Sequence, residues 1–298
     1  MAALTGHEPR PAAPPRGQGL ISVAGGYDDN VTLASQADLV GVSEARDRFT
    51  ELLAVGRYRL LGNAESGVRL DAALYARQYA EVNQFDQAAL RLGLTRTGRG
   101  ARWNTGLSGH VDRIQLDGEP FEDVVTLTAT GARSVGARGE LRLRYRVSRI
   151  EAVQDFEHLT GWRQRLRVEG RWDAAGYVKL GYELEWNDRE DLRIGAEFFS
   201  QSPLRNRVYG EWRIPAEGEW QLSVGGEYRH SRYRDADVTA SGIVTREDDK
   251  VELSLGAERA LTRTVRLFGL YTYTDNDSEL ASFDYTRSEI LGGIEWAF

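Results

Sequence analysis

The residues whose type and spacing could do chemistry are arginines. Arg142, Arg144 and Arg146 alternate with Leu141, Leu143, Tyr145 and Val147; Arg163, Arg165, Arg167 and Arg171 alternate with Trp162, Leu166, Val168 and Trp172; Arg205, Arg207 and Arg213 follow further along. A period of two puts each run of arginines on one face of an extended strand and the apolar residues on the other. Stacked guanidinium groups have forked donors that suit carboxylates and phosphates, so such a face could attract anions. The same face carries Glu169, Glu183, Glu185, Glu211 and Glu227, with Glu252 and Glu258 beyond them. Those carboxylates could instead pair with the arginines and fill the space they line.

Other chemistry finds less support. Ser108, His110 and Asp112 share a face, but alternate strand residues stand roughly 6.5–7 Å apart, beyond hydrogen-bond reach. The other histidines are His7, His158 and His230, and neither a nucleophile elbow nor a phosphate loop nor a His-Glu-x-x-His site is present. Acidic clusters at Asp28 and Asp29, at Asp188, Glu190 and Asp191, at Glu247, Asp248 and Asp249, and at Asp275 and Asp277 could offer oxygen ligands to divalent cations bridging to lipopolysaccharide. None continues into a calcium-binding loop, and solvated turns are the expectation. The chain has no cysteine, which excludes disulfides, thiolate metal sites and a cysteine nucleophile. A net charge of −7 gives nucleic-acid binding no support. We therefore expect no catalytic residue, no metal and no cofactor.

The elements that must position the arginines are strands. Further apolar rows are Val68, Leu70, Ala72, Leu74; Ala88, Leu90, Leu92, Leu94; Val178, Leu180, Tyr182, Leu184, Trp186; Trp220, Leu222, Val224, Tyr228; and Val251, Leu253, Leu255, Ala257. A soluble sheet would have to bury these rows against a second apolar layer, and the sequence supplies none. Trp103, Tyr145, Trp162, Trp172, Trp186, Trp212, Trp220, Tyr228 and Trp296 fall near the row ends, where amphipathic rings suit lipid headgroups. A mean hydropathy of −0.48 does not count against this, because only alternate residues of a barrel strand meet lipid.

The pattern predicts an all-β fold: a transmembrane antiparallel up-and-down β-barrel of the bacterial outer membrane, spanning 20–298 after a Pro-rich disordered lead-in at 1–19 that lacks a signal-peptide core. Short connections (Asn63 to Ser66, Thr97 to Ala101, Ser134 to Arg138, Asp173 to Gly176, Pro215 to Gly218, Ala260 to Arg263) alternate with long ones (Asp28 to Arg46, Gln115 to Phe121, Glu151 to Thr160, Ser231 to Asp249, Asp275 to Asp284). Short turns mark the periplasmic side. The β-like segments total an odd number; treating Asn187 to Pro203, including Leu192 to Phe199, as one external loop leaves about 14 strands. Ile290, Gly292, Ile294 and Trp296 lead to Phe298, an ending that resembles the carboxy-terminal signal read by the barrel-assembly machinery.

The segments Gly26-Tyr27-Asp28-Asp29-Asn30, Tyr182 to Arg189 and Tyr271 to Ser278 resemble those of proteobacterial outer-membrane barrels, and among these the barrel domain of surface lipoprotein assembly modifier proteins. In that family a periplasmic tetratricopeptide-repeat domain precedes the barrel, and the present sequence has no such helical repeats. The resemblance implies a barrel that assists assembly or export of a surface lipoprotein or polysaccharide. The residues themselves point first to a porin-like channel for anionic saccharides or small anionic solutes. Outer-membrane lipid and lipopolysaccharide are the expected surroundings in either case.

Overall fold

A sheet edge left open in hydrocarbon would expose a row of unpaired N–H and C=O groups, each costing several kcal/mol, so strands of this pattern must close on themselves. In the computed structural model, which describes residues 16–33, 45–63, 65–216, 219–240 and 242–298, they do. The wall is made of β1 (Gly17–Asp28), β2 (Asp47–Gly62), β3 (Gly67–Tyr79), β4 (Gln87–Arg99), β5 (Asn104–Leu116), β6 (Glu119–Val135), β7 (Gly139–Ala152), β8 (Gly161–Ala174), β9 (Gly176–Arg189), β12 (Pro203–Pro215), β13 (Trp220–Tyr233), β16 (Glu247–Ala260), β17 (Val265–Ser278) and β18 (Tyr285–Ala297). These 14 strands pair with their neighbours in chain order, antiparallel throughout, and β18 returns to β1. The intervening β10 (Leu192–Ile194), β11 (Glu197–Phe199), β14 (Asp237–Thr239) and β15 (Gly242–Val244) form a separate small sheet in the long connections. The segment Leu192 to Phe199 is thus β-structure that does not cross the membrane.

The outward rows meet no second layer. Leu92, Val208 and Leu253 are each half exposed or more, as are many of their outward neighbours. Trp172, Trp212, Trp220 and Trp296 ring the short-turn end, and Trp162, Trp186 and Tyr228 ring the long-loop end, all outward and exposed, as headgroup-level girdles. An exposed apolar belt between two aromatic rings on a closed barrel makes this an outer-membrane protein.

Several boundaries differ from the sequence expectation: β13 runs on to Tyr233, β16 begins at Glu247 and β17 runs to Ser278, within the expected loops Ser231 to Asp249 and Asp275 to Asp284. β1 starts at Gly17 rather than Leu20, since Gly17 and Gln18 pair with Tyr58 and Arg57; the expected lead-in otherwise falls at 1–15, outside the described residues. Gln115 to Phe121, expected as a long loop, is a two-residue hairpin: Asp117 and Gly118 both have positive φ (52° and 76°), the geometry in which an Asp-Gly pair matches strand twist. Asp28 is no loop residue. It ends β1 with its side chain turned inward and fully buried.

The seam between β1 and β18 is fastened at both ends. At the periplasmic end the Gly19 amide donates to the Phe298 carbonyl (2.8 Å) and the Phe298 amide to the Gly19 carbonyl (3.0 Å). The Phe298 ring lies where a Gly19 side chain would stand, so a larger residue there would have to displace the ring. At the outer end Arg287 on β18 grips Asp28 on β1 through two hydrogen bonds (Nε to Oδ1, 2.9 Å; Nη2 to Oδ2, 2.5 Å), and Tyr79 Oη adds a third (3.3 Å). Arg287→Ala leaves a buried carboxylate without its cation and is expected to cost about 3–5 kcal/mol. Urea midpoints of the refolded barrel should fall accordingly, and Asp28→Asn in the same chain should recover part of the loss.

Candidate functional site

All ten arginines of the sequence reading point into the lumen, and register decides which of them meets a carboxylate. β9 presents Glu183 and Glu185 directly opposite Arg167 and Arg165 of β8 on one side and Arg207 and Arg205 of β12 on the other. Arg167 Nε donates to Glu183 Oε2 at 2.7 Å, and Arg205 Nη1 to Glu185 Oε1 at 2.9 Å, while Arg165 pairs with the other oxygen of Glu185. Arg207 pairs with Glu227, and Arg213 with Glu211, which also takes Lys179. Arg171 Nε donates to Glu169 Oε1 at 2.6 Å, and Tyr209 Oη to its Oε2 at 2.8 Å. Arg142 pairs with Glu140, an acid absent from the sequence reading although it shares the inward phase of β7. Glu252 and Glu258 face inward as expected and meet Lys250 (2.9 Å) and Arg266 (3.3 Å).

Among the described residues the side chains of Arg144, Arg146 and Arg163 make neither a hydrogen bond nor an ion pair, and Nε of Arg146 and of Arg163 is buried without a partner. Arg144 stands directly opposite Arg167, and Arg146 directly opposite Arg165. Two more lumen arginines, Arg189 on β9 and Arg229 on β13, share that condition; their alternation with Asp188 and Tyr228 was the signal that could have found them. The ladder is therefore mixed: a paired centre on β8, β9 and β12, flanked by cations left over.

The lumen holds several cavities along its length. One of about 600 Å³ is bounded by Arg57, Arg69, Thr95, Arg142, Arg144 and Arg167. Two smaller ones of about 270 and 300 Å³ follow the paired ladder past Arg205, Arg207, Glu227 and Glu252. At the long-loop end the inward side chains of Phe49, Val124, Ile150 and Tyr233 are buried instead. At that end the small sheet forms a lid tied to the neighbouring connections by the Phe199–Phe283 ring contact and by Arg246, which lies between the Tyr233 and Phe283 rings (3.7 and 3.9 Å to their centroids). Arg246 donates to the Ser200 carbonyl (3.1 Å) and faces Asp237 (3.5 Å) and Asp248 (3.9 Å).

Asp112 accepts two hydrogen bonds from Arg91 (2.5 and 3.0 Å), and His110 Nε2 lies 3.9 Å from Asp71, so the Ser108, His110 and Asp112 row is not drawn into a relay. Among the described residues no three acids or histidines converge as a metal site. Several acids of the expected loop clusters have structural partners: Asp29 accepts from the Ser288 amide (2.6 Å), and Asp248 and Asp249, which lie in β16 rather than in a loop, accept from the Ser278 hydroxyl (2.6 Å) and from Tyr228 (2.6 Å).

The fold defines a class, the closed antiparallel β-barrels of the bacterial outer membrane. Solved structures agree on the fold. The loop-deleted OmpT, an outer-membrane protein of Vibrio cholerae, superposes with a TM-score of 0.51 at 8% identity, over 95% of this chain and all of that one. Acinetobacter baumannii OccAB3 gives a TM-score of 0.51 at 10% identity, over 95% of this chain and 99% of that one. No protein-family model and no curated protein sequence matches the chain.

Replacing Arg246 by Ala removes the pin while leaving the wall strands paired. The lid connections 190–202 and 234–240 should then be cleaved faster by added protease, with the barrel still folded. Burial pushes the Asp237 carboxyl above its ordinary value of 3.8. A carboxyl with a higher pKa in the closed lid than in the open one takes up protons on closing. Lid protection should therefore rise as pH falls through that raised pKa, and Asp237→Asn should abolish the rise.

Proposed function

We propose that the protein is a porin-like outer-membrane channel that passes small anionic solutes, anionic saccharides among them, along the arginine face of its lumen. The observation that carries this reading is the surplus of cation in the lumen: among the described residues no carboxylate pairs with Arg144, Arg146 or Arg163, although Glu169 lies near Arg144 and Glu122 and Glu185 lie near Arg163. The paired residues Arg142, Arg165, Arg167, Arg171, Arg205, Arg207 and Arg213, with Glu169, Glu183, Glu185, Glu211 and Glu227, give the path its walls and hold the side chains in place. Opposite-charge ladders of this kind keep a polar lumen from collapsing while the leftover cations set its sign.

A second reading, a barrel that assists assembly or export of a surface lipoprotein or polysaccharide without conducting solutes, draws on the packed outer mouth. Both readings place the chain among outer-membrane lipid and lipopolysaccharide, with Trp296 and Phe298 offered to the barrel-assembly machinery during insertion. Planar-bilayer recording in a salt gradient separates them. The channel reading expects an anion-selective reversal potential, with larger conductance for Arg246→Ala than for the parent chain. Replacing Arg144, Arg146 and Arg163 together by Gln should bring the anion-to-cation permeability ratio severalfold closer to unity. No conductance from either the parent or the Arg246→Ala chain would overturn it in favour of the export reading, as would selectivity indifferent to the triple replacement for the anion path.

A further inference from the structure

Resting on the anionic-path reading, we infer that Arg144, Arg146 and Arg163 form one binding site for a multivalent anion, a molecule carrying two or more carboxylate or phosphate groups about 6.5–7 Å apart. The case is built from what stands beside each guanidinium. Arg144 and Arg146 lie two residues apart on one face of β7, which sets that spacing. On the β8 side each faces another arginine, Arg167 and Arg165. On the β6 side each faces a threonine, Thr130 and Thr128. Arg163 is flanked by Ser148 on β7 and Asn187 on β9. No position directly across from any of the three holds an acid.

Like charges directly opposite across a sheet are destabilising, and this wall places two such pairs in tandem. In both pairs the carboxylate goes to the β8 member, because Glu183 and Glu185 reach it from β9. The β7 member is left charged, partly buried and unbound. Hydroxyl neighbours cannot neutralise it, and Thr126 is in any case engaged with Ser148 (2.9 Å). An anion that satisfies one guanidinium relieves one repulsion; a molecule that spans two relieves both while losing its translational freedom once. Forked guanidinium donors favour bidentate carboxylate or phosphate over halide. The site is reached from the 600 Å³ cavity, whose wall includes Arg144. Membrane lipid headgroups stay outside the barrel, so the ligand is a soluble one.

The test uses the refolded full chain in zwitterionic detergent, with tripolyphosphate and citrate as multivalent probes and orthophosphate and acetate as simpler ones, all at matched ionic strength. Calorimetric titration and thermal melting should show saturable binding and a raised Tm with tripolyphosphate, citrate or both. Which of the two is preferred assigns phosphate or carboxylate. Acetate should do neither. R144Q/R146Q/R163Q should bind at least tenfold more weakly yet melt higher than the parent in ligand-free, low-salt buffer, because it removes repulsion; a purely structural role would lower its Tm. R144K/R146K/R163K keeps the charge and loses the fork, and covers the case in which the Gln variant does not refold; it should bind severalfold more weakly. Arg113→Gln, at an outward, exposed arginine paired with Asp123, should behave as the parent. Equal shifts from multivalent and monovalent anions, or equal affinity in the parent and the triple variants, would overturn the site. An anion-selective channel with no multivalent preference would overturn the site and leave the channel standing; multivalent binding without conductance would do the reverse.

Discussion

A backbone hydrogen bond cannot be left unmade in hydrocarbon, and the rest of this molecule follows from that constraint. It forces the sheet to close, and closure divides every strand into a face for lipid and a face for the interior. With the apolar residues committed outward, the charged residues of the spanning strands gather mainly in the lumen, the outward Arg113–Asp123 pair near the outer strand ends excepted. The seam shows how tightly the constraint is met, with reciprocal backbone bonds between Gly19 and Phe298 at one end and the buried Asp28 held by Arg287 at the other. Phe49 and Ile150, two of the few fully buried apolar side chains, sit at the outer end of the lumen rather than in a central core.

Once the charges are confined to the lumen, their balance becomes a question of register. β9 serves as the acidic spine: Glu183 and Glu185 each answer an arginine on both neighbouring strands, Glu185 through separate oxygens. Arg167 and Arg207 also lie against the Tyr209 ring, at 5.5 and 4.9 Å, which fixes their stems. The acids of β9 reach no further than β8. On β7 Arg142 is answered by Glu140, but Arg144 and Arg146 face threonine on one side and arginine on the other, so positive charge persists there at a stability cost. A protein that only needed a filled interior could have placed a neutral residue at those positions, and this is why the uncompensated row reads as functional. The lid works by a different balance, in which one buried arginine between two rings joins three connections of the chain.

Much of this was legible from alternation. The rows from Leu70 to Leu74 or Leu253 to Leu255, and the tryptophans at their ends, sufficed for the barrel, its 14 wall strands and the inward face of every arginine considered. The segment Leu192 to Phe199 was separated from the wall by parity alone, although its being a sheet of its own was not visible. Gln115 to Phe121 was misjudged because the polar residues around Asp117-Gly118 look like a loop, whereas the two positive φ angles make a tight turn beyond the membrane. Pairing was not legible at all. Arg144 and Arg167 are indistinguishable in their local sequence; only the stagger of β7 against β8 and of β8 against β9 gives one a carboxylate and leaves the other none. Arg246 was missed because a single arginine in a connection has no periodicity to betray it.

The central claim is that the charge of the lumen is unbalanced at specific arginines rather than neutral overall. Anomalous diffraction from crystals of the barrel grown in bromide reads that claim directly. Ordered bromide beside Arg144, Arg146 and Arg163, with none at the paired Arg165 and Arg167, is the expected result. Bromide absent from all five, or distributed equally between the paired and unpaired arginines, would contradict it.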